Sequence, residues 1–204
     1  NNSRQILDVG CGDGLFFPDL ETLGSVRGVE ADDRIVDPNG PYFDRIHLGR
    51  FDDSYQTNQQ FDWIVMLDVL EHIPDATTAL KKARDLLNPD GRMLLTVPAF
   101  NLLWTKHDDF NHHITRYTKR LMGQQACQAG FEIENQHYLF HWTFPAKLLV
   151  RLKESLSPTN PKPASLPGKV SNAILKTICR FEQATLTQLR PPFGSSLVVS
   201  LRKK

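Results

Sequence analysis

Runs of apolar residues recur along the first half of the chain, and each is followed by a polar or glycine-rich turn. The strongest run, 61–67, is almost continuously apolar, which is typical of a parallel strand buried on both faces. Shorter runs predict four more strands, at 6–9, 26–30, 45–48 and 92–97. Apolar residues at helical spacing predict two helices, over 15–23 and 77–87. Strands and helices that alternate in this way predict a doubly wound α/β fold with a mostly parallel sheet.

The second half begins with residues 101–117, which are crowded with aromatic side chains, histidines and acids. After them the pattern predicts, in order, a helix, an alternating strand, two further helices and a last strand, at 119–129, 131–139, 144–156, 170–189 and 196–201. A proline-rich linker, 157–168, separates the two long helices. We therefore expect a single domain over 1–204, with a lid or substrate loop at 101–120 and a C-terminal helical cap at 143–190, inserted before the last strand.

Length, charge and cysteine content narrow the function classes. The chain has 204 residues, and its 24 Lys and Arg residues balance 23 Asp and Glu residues, so the net charge gives no reason to expect a nucleic-acid partner. Three cysteines without a CxxC pair predict neither a disulfide framework nor a zinc site, and a reducing cytoplasm is the expected setting. No apolar run is long enough to span a bilayer, and no signal peptide is visible. Because a strand follows Asn1 almost directly, we expect that residues precede it in the full protein.

The stretch 6–14, ILDVGCGDG, joins the first strand to a loop that contains three glycines. Glycine lets a ligand approach the backbone closely, and in an open α/β sheet ligands bind beyond the carboxyl ends of the strands. The spacing is G-x-G-x-G, with Leu15 where a dinucleotide-binding fingerprint has its third glycine. Asp8 and Asp13 flank the loop with negative charge, which suits a cationic or zwitterionic ligand better than a pyrophosphate.

The octapeptide LDVGCGDG resembles the first motif of class I S-adenosylmethionine-dependent methyltransferases, and further motifs follow in the family's order. Glu30 ends the second strand, FDWIVMLDVLEHI at 61–73 is similar to the strand-four signature, and NPDGR at 88–92 precedes the fifth strand. The LEH ending and the histidine-rich stretch from Trp104 to Tyr117 resemble the small-molecule branch that includes ubiquinone-pathway-like enzymes. The resemblance implies a Rossmann-like methyltransferase fold, with a seven-stranded sheet whose last strand is antiparallel.

The resemblance also implies that S-adenosylmethionine is the cofactor and shows where it would bind. Glu30 would accept hydrogen bonds from both ribose hydroxyls, because a carboxylate presents paired oxygens. The glycine loop would pass along the methionine part, and the turn after the third strand would line the adenine. The expected cofactor-binding residues are Asp8, Gly10, Cys11, Gly12, Asp13, Gly14, Glu30, Ala31, Phe51, Asp52, Leu67 and Asp68. For His72 we expect a structural hydrogen bond rather than a catalytic role.

Methyl transfer is an in-line displacement from a sulfonium, so the protein mainly supplies alignment and a dry pocket, and a base helps a hydroxyl acceptor. The expected acceptor is a small molecule, methylated at oxygen ahead of carbon or nitrogen. The expected catalytic residues are His113, as the general base, His112 and Asp108. The expected substrate contacts are Trp104, His107 and Tyr117. No metal ligand is expected.

Two other functions fit the same motifs. One is a regulatory protein that binds S-adenosylmethionine without catalysis, and the other is a metal-dependent enzyme that uses the histidines from His107 to His141. The strand-four ending lacks the Asn/Asp-Pro-Pro-aromatic motif of amino-methylating nucleic-acid enzymes, so no nucleic-acid partner is expected. The helix at 144–156 mixes apolar and basic residues, which leaves open an apolar or lipid-linked acceptor and a weak contact with a membrane surface. The sequence names neither the acceptor nor the oligomeric state.

Overall fold

The structure, a computed structural model, describes residues 4–156 and 168–204. The described residues form seven strands, β1 (Arg4–Val9), β2 (Gly24–Glu30), β3 (Ile46–Leu48), β4 (Phe61–Leu67), β5 (Leu87–Pro98), β6 (Phe131–Leu139) and β7 (Ser196–Lys203). They also form seven α-helices, α1 (Phe17–Glu21), α2 (Ala76–Leu86), α3 (Lys106–Phe110), α4 (Lys119–Gln128), α5 (Thr143–Leu156), α6 (Lys169–Ala184) and α7 (Leu186–Leu189). Apart from its last residue, the predicted linker at 157–168 lies outside the described residues.

All seven strands belong to one sheet, in the order β3-β2-β1-β4-β5-β7-β6. The pairs from β3 to β5 are parallel, whereas β7 is antiparallel to both β5 and β6. The strand order reverses between β1 and β4, and the carboxyl ends of these two strands therefore border the crevice where doubly wound sheets bind ligands. The predicted doubly wound, mostly parallel sheet is confirmed, and so is its antiparallel last strand.

The core explains why β4 has an almost continuous apolar sequence. Phe61, Ile64 and Met66 are completely buried. In β1, Leu7 belongs to one apolar cluster and Ile6 to a second one, because alternate side chains of a strand point to opposite faces of the sheet. Both faces of the sheet are therefore covered, and the strand ends are where doubly wound sheets bind ligands.

Helix α1 differs from the helix predicted at 15–23. It buries Phe17, while Leu15 and Leu23, both predicted to lie on its inner face, are 82% and 57% exposed. Backbone hydrogen bonds from Gly14 to Cys11 and from Phe17 to Gly14 continue the turn of the glycine loop to the start of the helix. The loop therefore sets which residues face the core: of the four residues expected on one face of this helix, Leu20 packs against the core, whereas Leu15, Phe16 and Leu23 are exposed.

The turn predicted at 88–91 lies inside β5. The pairing between β4 and β5 shifts at this point, with Phe61 opposite Leu87 and Trp63 opposite Arg92. Between these two pairs β5 has more residues than β4, and the extra residues interrupt the hydrogen-bond ladder as a β-bulge does. From Arg92 onward β5 is regular, as the sequence predicts.

The helix predicted at 170–189 consists of two helices. The backbone at Thr185 departs from helical angles, with φ −121° and ψ −72°, so α6 ends before it and α7 begins after it. The apolar stripe of α6 does not face the core of the domain, since Val170, Ile174 and Phe181 are 75%, 55% and 68% exposed. The prediction of one continuous helix was therefore wrong.

Helix α5 provides the part of the predicted cap that lies on the domain. Nη1 of Arg151 donates to the carbonyl oxygens of Asn101 and Leu102, both at 2.9 Å. The backbone amide of Lys106 donates to Oε2 of Glu154 at 3.0 Å. These contacts hold α5 against the segment after β5. Among the described helices, none combines the length and the apolar character needed to cross a membrane.

Candidate functional site

The glycine loop after β1 packs against the loop after β4. Gly10 has φ +74°, and a Cβ there would lie 2.3 Å from Cγ2 of Val69, so no side chain fits between the two loops. Gly12 also has a positive φ, +56°, but a Cβ there would meet only Cδ1 of Ile35, at 3.9 Å. The loop is thus packed on one side and open on the other, which lets a ligand run along its backbone.

Glu30 ends β2 beside this loop and is 8% exposed. Its Oε2 accepts a hydrogen bond from the amide of Gly12 at 2.8 Å, and its Oε1 accepts one from the amide of Asp32 at 2.9 Å. An ionised carboxylate has about four acceptor positions, so each oxygen can accept a further hydrogen bond. Glu30 can therefore hold the loop and a ligand diol at the same time.

Asp8 and Cys11 lie beneath the loop and are both buried. Burial, together with the charge of Glu30, raises the pKa of Asp8 to about 7. Burial and the charge of Asp8 also raise the pKa of the Cys11 thiol to about 12. Cys11 is therefore a neutral core residue, whereas Asp8 changes charge near neutral pH.

Asp13 and Ala31, two further members of the predicted cofactor set near the loop, are exposed. Oδ1 of Asp13 accepts a hydrogen bond from the amide of Asp37 at 3.0 Å. That contact ties the glycine loop to the segment that follows β2. Ala31 lies between Glu30 and Asp32, whose amide donates to Oε1 of Glu30.

Phe51 and Asp52 follow β3, whose end is joined to β2 by a hydrogen bond from the amide of Gly49 to the carbonyl of Glu30 at 2.7 Å. Phe51 is 8% exposed and packs on Tyr55, with 5.8 Å between ring centroids. Asp52 is exposed, and its Oδ1 accepts hydrogen bonds from the amide and the hydroxyl of Ser54. The turn predicted to line the adenine is therefore next to the predicted ribose site.

β4 ends at Leu67, and the next residue, Asp68, has a left-handed backbone with φ 53°. The amide of Asp68 donates to the carbonyl of Thr96 at 3.0 Å, and the Thr96 hydroxyl donates to Oδ1 of Asp68 at 3.2 Å. Non-glycine residues in this conformation are uncommon and cluster at functional sites. Here it turns the chain away from the sheet, between the glycine loop and a cavity.

That cavity has a volume of about 450 Å³ and lies at the carboxyl ends of β4 and β5. Such a volume suits a small molecule. Its lining is Asp68, Glu71, His72, Pro98, His107, Asn111, His113, Arg116, Lys147 and Ser196. Pro98 is the one apolar residue among these ten, and the carbon atoms of the polar side chains form the rest of the apolar part of the wall. Lys147 comes from α5, which shows that the cap reaches the cavity.

Asp108, in α3, holds two cavity residues in place and is 1% exposed. Its Oδ1 is 2.8 Å from Nδ1 of His113, which must donate because an ionised carboxylate only accepts. Arg116 donates to both oxygens, from Nε at 2.8 Å and from Nη2 at 3.1 Å. Burial would raise the pKa of Asp108, but the hydrogen bonds from His113 and Arg116 outweigh it and hold the pKa well below its ordinary value. The imidazole is thereby fixed with its Nε2 free of Asp108.

Glu71 and His72 form part of a 3-10 turn after β4. The turn is joined to the histidine-rich segment by the amide of Ile114, which donates to the carbonyl of Glu71 at 2.8 Å. The rings of His72 and His113 meet edge to face, with centroids 4.9 Å apart. Burial raises the pKa of Glu71 to about 8, and the charge of Asp68 adds to this. Burial lowers the pKa of His72, and the neighbouring His113 lowers it further.

The other residues predicted for the acceptor side occupy different positions. His107 lines the cavity. His112 is exposed and has φ 58°, and it is not among the ten lining residues. Nε1 of Trp104 donates to Asp109 at 2.9 Å, and Tyr117 is 1% exposed, with its hydroxyl 3.5 Å from the Leu70 carbonyl. Tyr117 therefore packs in the core beneath the cavity.

Sequence reasoning missed several cavity residues, namely Glu71, Pro98, Asn111, Arg116, Lys147 and Ser196. Glu71 lies within the LEH motif, so the motif was a signal that could have found it. Arg116 belongs to a motif that was noticed without a role. Lys147 and Ser196 reach the cavity only through the docking of α5 and β7, which no local pattern predicts.

Comparison with known proteins supports the same family as the motifs. A family model for a methyltransferase domain matches residues 1–136. A ubiquinone biosynthesis O-methyltransferase of Coxiella burnetii is 29% identical over 103 residues, which are 46% of this chain and 43% of that protein. The protein of the same name from Azorhizobium caulinodans is 32% identical over 100 residues, 45% of this chain and 39% of that one. The chain thus spans less than half the length of these curated relatives.

The fold is similar to that of solved structures over almost its whole length. The crystal structure of a SAM-dependent methyltransferase from Archaeoglobus fulgidus aligns with a TM-score of 0.63 and 14% sequence identity. The alignment covers 99% of this chain and 87% of that one. At this level of identity the likeness concerns the fold alone. The alignment continues past residue 136 and includes the helical cap and the last strand.

Proposed function

Because the chain belongs to the methyltransferase domain family, we propose that it transfers a methyl group from S-adenosylmethionine to an oxygen of a small-molecule acceptor. When bound, S-adenosylmethionine supplies a methyl group carried by a positively charged sulfur. The glycine loop and Glu30 hold this cofactor, and the cavity beside Asp68 receives the acceptor. A methyltransferase with a different small-molecule acceptor would use the same elements, so they define the acceptor only by its class.

The observation that carries the proposal is that the cofactor side and the cavity meet at the end of β4. Val69 packs on Gly10 of the glycine loop, while Asp68, one residue earlier, lines the cavity. In-line displacement requires the reacting atoms to face each other at about 3–3.5 Å. Two sites that share one turn of backbone supply that alignment without a large movement.

The charge of the loop also supports this cofactor. Asp13 and Glu30 form hydrogen bonds at the glycine loop and Asp8 lies beneath it, so three acids are close to a ligand bound there. A sulfonium and an ammonium are attracted to such a site, whereas a pyrophosphate is repelled. The residues therefore fit the donor better than they fit a dinucleotide.

Binding of S-adenosylhomocysteine, measured by isothermal titration calorimetry, tests the proposal. We expect Glu30→Ala to weaken this binding by about 10- to 100-fold, because hydrogen bonds to a charged group are each worth about 1.5–3 kcal/mol. Glu21→Ala is a matched control, since Glu21 is an acid of α1 outside the predicted site. Its affinity should equal that of the wild type.

Absence of binding by the wild-type protein would overturn the proposed cofactor. Unchanged affinity in Glu30→Ala would remove Glu30 from the ribose site. Binding without methyl transfer to any small-molecule acceptor would instead favour the regulatory alternative, in which the cofactor is bound but not used.

The pH dependence of cofactor binding is a second test and concerns Asp8. With a pKa of about 7, its carboxyl is mostly protonated at pH 6 in the free protein. A cationic ligand favours the ionised form, so binding lowers this pKa, releases a proton and strengthens as the pH rises through 7. We expect S-adenosylmethionine to bind about tenfold more tightly at pH 8 than at pH 6. Asp8→Asn should show no such increase, and an equal increase in the variant would contradict the assignment.

On the acceptor side, we assign His113 to activation of the acceptor oxygen and Asp108 to the positioning of His113. The Asp108 carboxylate fixes the imidazole through Nδ1, which leaves Nε2 to act on the acceptor. His107, Asn111 and Lys147 supply polar groups that would orient it. An oxygen acceptor fits this polar lining, because a hydroxyl can hydrogen-bond to several of these groups.

The acceptor could also carry an apolar or lipid-linked part that leaves the polar cavity along α5. Leu149, Leu152 and Leu156 of this helix are 68%, 57% and 78% exposed, and Lys147 of the same helix lines the cavity. A weak contact of α5 with a membrane surface belongs to the same proposal. A cytoplasmic setting is supported by the three cysteines, which are all free.

A further inference from the structure

Glu71, His72 and His113 form a cluster on one wall of the cavity, here called the Glu-His-His cluster. Each side chain offers one ligand atom, and these three atoms all lie within 4.8 Å of one another. We propose that the Glu-His-His cluster binds a divalent transition-metal cation, with Zn²⁺ as the representative ion, and leaves one coordination position open to the acceptor. Glu71 and His72 were not expected to bind a metal, and the alternative metal site in the sequence uses only the histidines from His107 to His141.

The buried carboxylate is the first observation behind the proposal. Glu71 is 1% exposed, and neither of its oxygens has a hydrogen-bond partner among the described residues. A buried polar group without a partner is costly, and such groups are rare in folded proteins. A cation bound to this carboxylate would remove the cost. The carboxylate also belongs to the cavity lining, so a cation entering from solvent can reach it.

The orientation of the two imidazoles is the second observation. His113 is fixed through Nδ1 by the carboxylate of Asp108, at 2.8 Å. Metal-binding histidines typically use one ring nitrogen in this way and present the other to the metal. The ring of His72 packs edge to face against that of His113, with centroids 4.9 Å apart. Asp108 is held in turn by Arg116, so the group that orients His113 is itself rigid.

The size of the cluster is compatible with zinc after a small adjustment. If all three separations had the upper value of 4.8 Å, a central ion would lie about 2.8 Å from each ligand atom. Zinc bonds to imidazole nitrogen and carboxylate oxygen are about 2.0–2.2 Å long. Each side chain therefore has to move inward by about 0.7 Å or less, which small side-chain rotations can supply. Two histidines and one glutamate with an open position form a donor set found in catalytic zinc sites.

The metal site deepens the proposed function, and it rests on that function only for the role of the acceptor. A cation at the open position would bind the acceptor oxygen and lower the pKa of its hydroxyl. The hydroxyl proton would pass to solvent at the mouth of the cavity, and the oxygen would keep its electron pair for the methyl group. His113 would then activate the acceptor by holding the cation, not by taking the proton.

Metal binding is tested with ZnCl₂ alone, by calorimetry on protein that carries no affinity tag and has been treated with a chelator. We expect one zinc ion per chain, and we expect Glu71→Gln, His72→Gln and His113→Gln each to weaken binding at least tenfold. His47→Gln is the matched control, because His47 is an exposed histidine of β3, at the far side of the sheet. Far-ultraviolet circular dichroism and thermal melts of each variant establish that it is folded.

Two results would overturn the metal site. One is no stoichiometric zinc in the wild-type protein, and the other is zinc binding that all three cluster variants retain. The proposed function is tested separately, by titrating the same chelator-treated samples with S-adenosylhomocysteine. Loss of that binding would contradict the methyl donor, whereas normal binding of S-adenosylhomocysteine without zinc binding would contradict the Glu-His-His cluster alone.

Discussion

Asp108→Ala is expected to lower the free energy of unfolding by about 3–5 kcal/mol, because it leaves a buried guanidinium without its counter-charge. Arg116 is 4% exposed, and two of the three hydrogen bonds that its guanidinium donates go to the Asp108 carboxylate. The same carboxylate accepts a hydrogen bond from the Thr105 amide at 2.8 Å, which is also lost. Urea unfolding followed by circular dichroism measures the change. An unfolding midpoint equal to that of the wild type would contradict the buried ion pair.

A second replacement separates the charge from the packing. Asp108→Ala combined with Arg116→Met leaves no unpaired buried charge, so it should be less destabilised than the sum of the two single variants. Glu132→Ala serves as the comparison on the surface, since Glu132 and Arg202 form an ion pair whose side chains are about half exposed. Exposed pairs contribute little, so this variant should unfold almost as the wild type does.

The pH dependence of this stability has a definite sign. The folded-state pKa of Asp108 lies well below the ordinary value of 3.8. Its contribution to the free energy of unfolding is therefore fully present above pH 3.8 and is lost as the pH falls towards the folded-state pKa. The difference between the wild type and Asp108→Ala should therefore shrink by about 1.4 kcal/mol per pH unit below that point. A difference that stays constant from pH 5 to pH 3 would show that the ionised carboxylate is not what stabilises the fold.

The sheet could be predicted from the sequence because its strands are recorded in local patterns. The run at 61–67 matches β4, because a strand buried on both faces is almost continuously apolar. The stretch 131–139 matches β6, because a strand buried on one face alternates between apolar and polar residues. The inner faces of α1 and α6 could not be predicted in this way. The phase of α1 is set by the turn of the glycine loop, and the apolar stripe of α6 is exposed among the described residues.

The site was predictable to different extents on its two sides. Glu30 and the glycine loop are adjacent in space because consecutive parallel strands place their ends together, so a motif on each strand is enough to locate them. The acceptor side depends on long-range contacts that no motif contains. His113 is held by Asp108 within one segment, but Glu71 comes from the turn after β4 and Lys147 from a helix beyond β6. Their roles stay predictions until they are measured.

His113→Ala is expected to lower kcat about 10²- to 10⁴-fold for any acceptor that the wild-type protein methylates. His113 is the cavity residue whose ring is fixed by a buried carboxylate, and it lines the same cavity as Asp68, which borders the cofactor loop. The rate of S-adenosylhomocysteine formation at saturating acceptor measures the effect. The affinity for S-adenosylhomocysteine should stay within about twofold of the wild type, because His113 is not among the predicted cofactor residues. An unchanged kcat would remove His113 from the reaction.

The way in which His113 acts can be resolved by combining the variant with a chelator. If His113 holds a cation in the Glu-His-His cluster, chelation lowers the wild-type rate, and the chelated His113→Ala protein is no slower than the untreated variant. If His113 takes the acceptor proton directly, chelation leaves the wild-type rate unchanged and the whole loss comes from the substitution. When His113 holds the cation, chelation and the substitution disable the same step, so the two treatments together should lower the rate no more than the stronger one alone. Losses that multiply would mean that His113 and the cation act in separate steps, and the cluster as described here would be wrong.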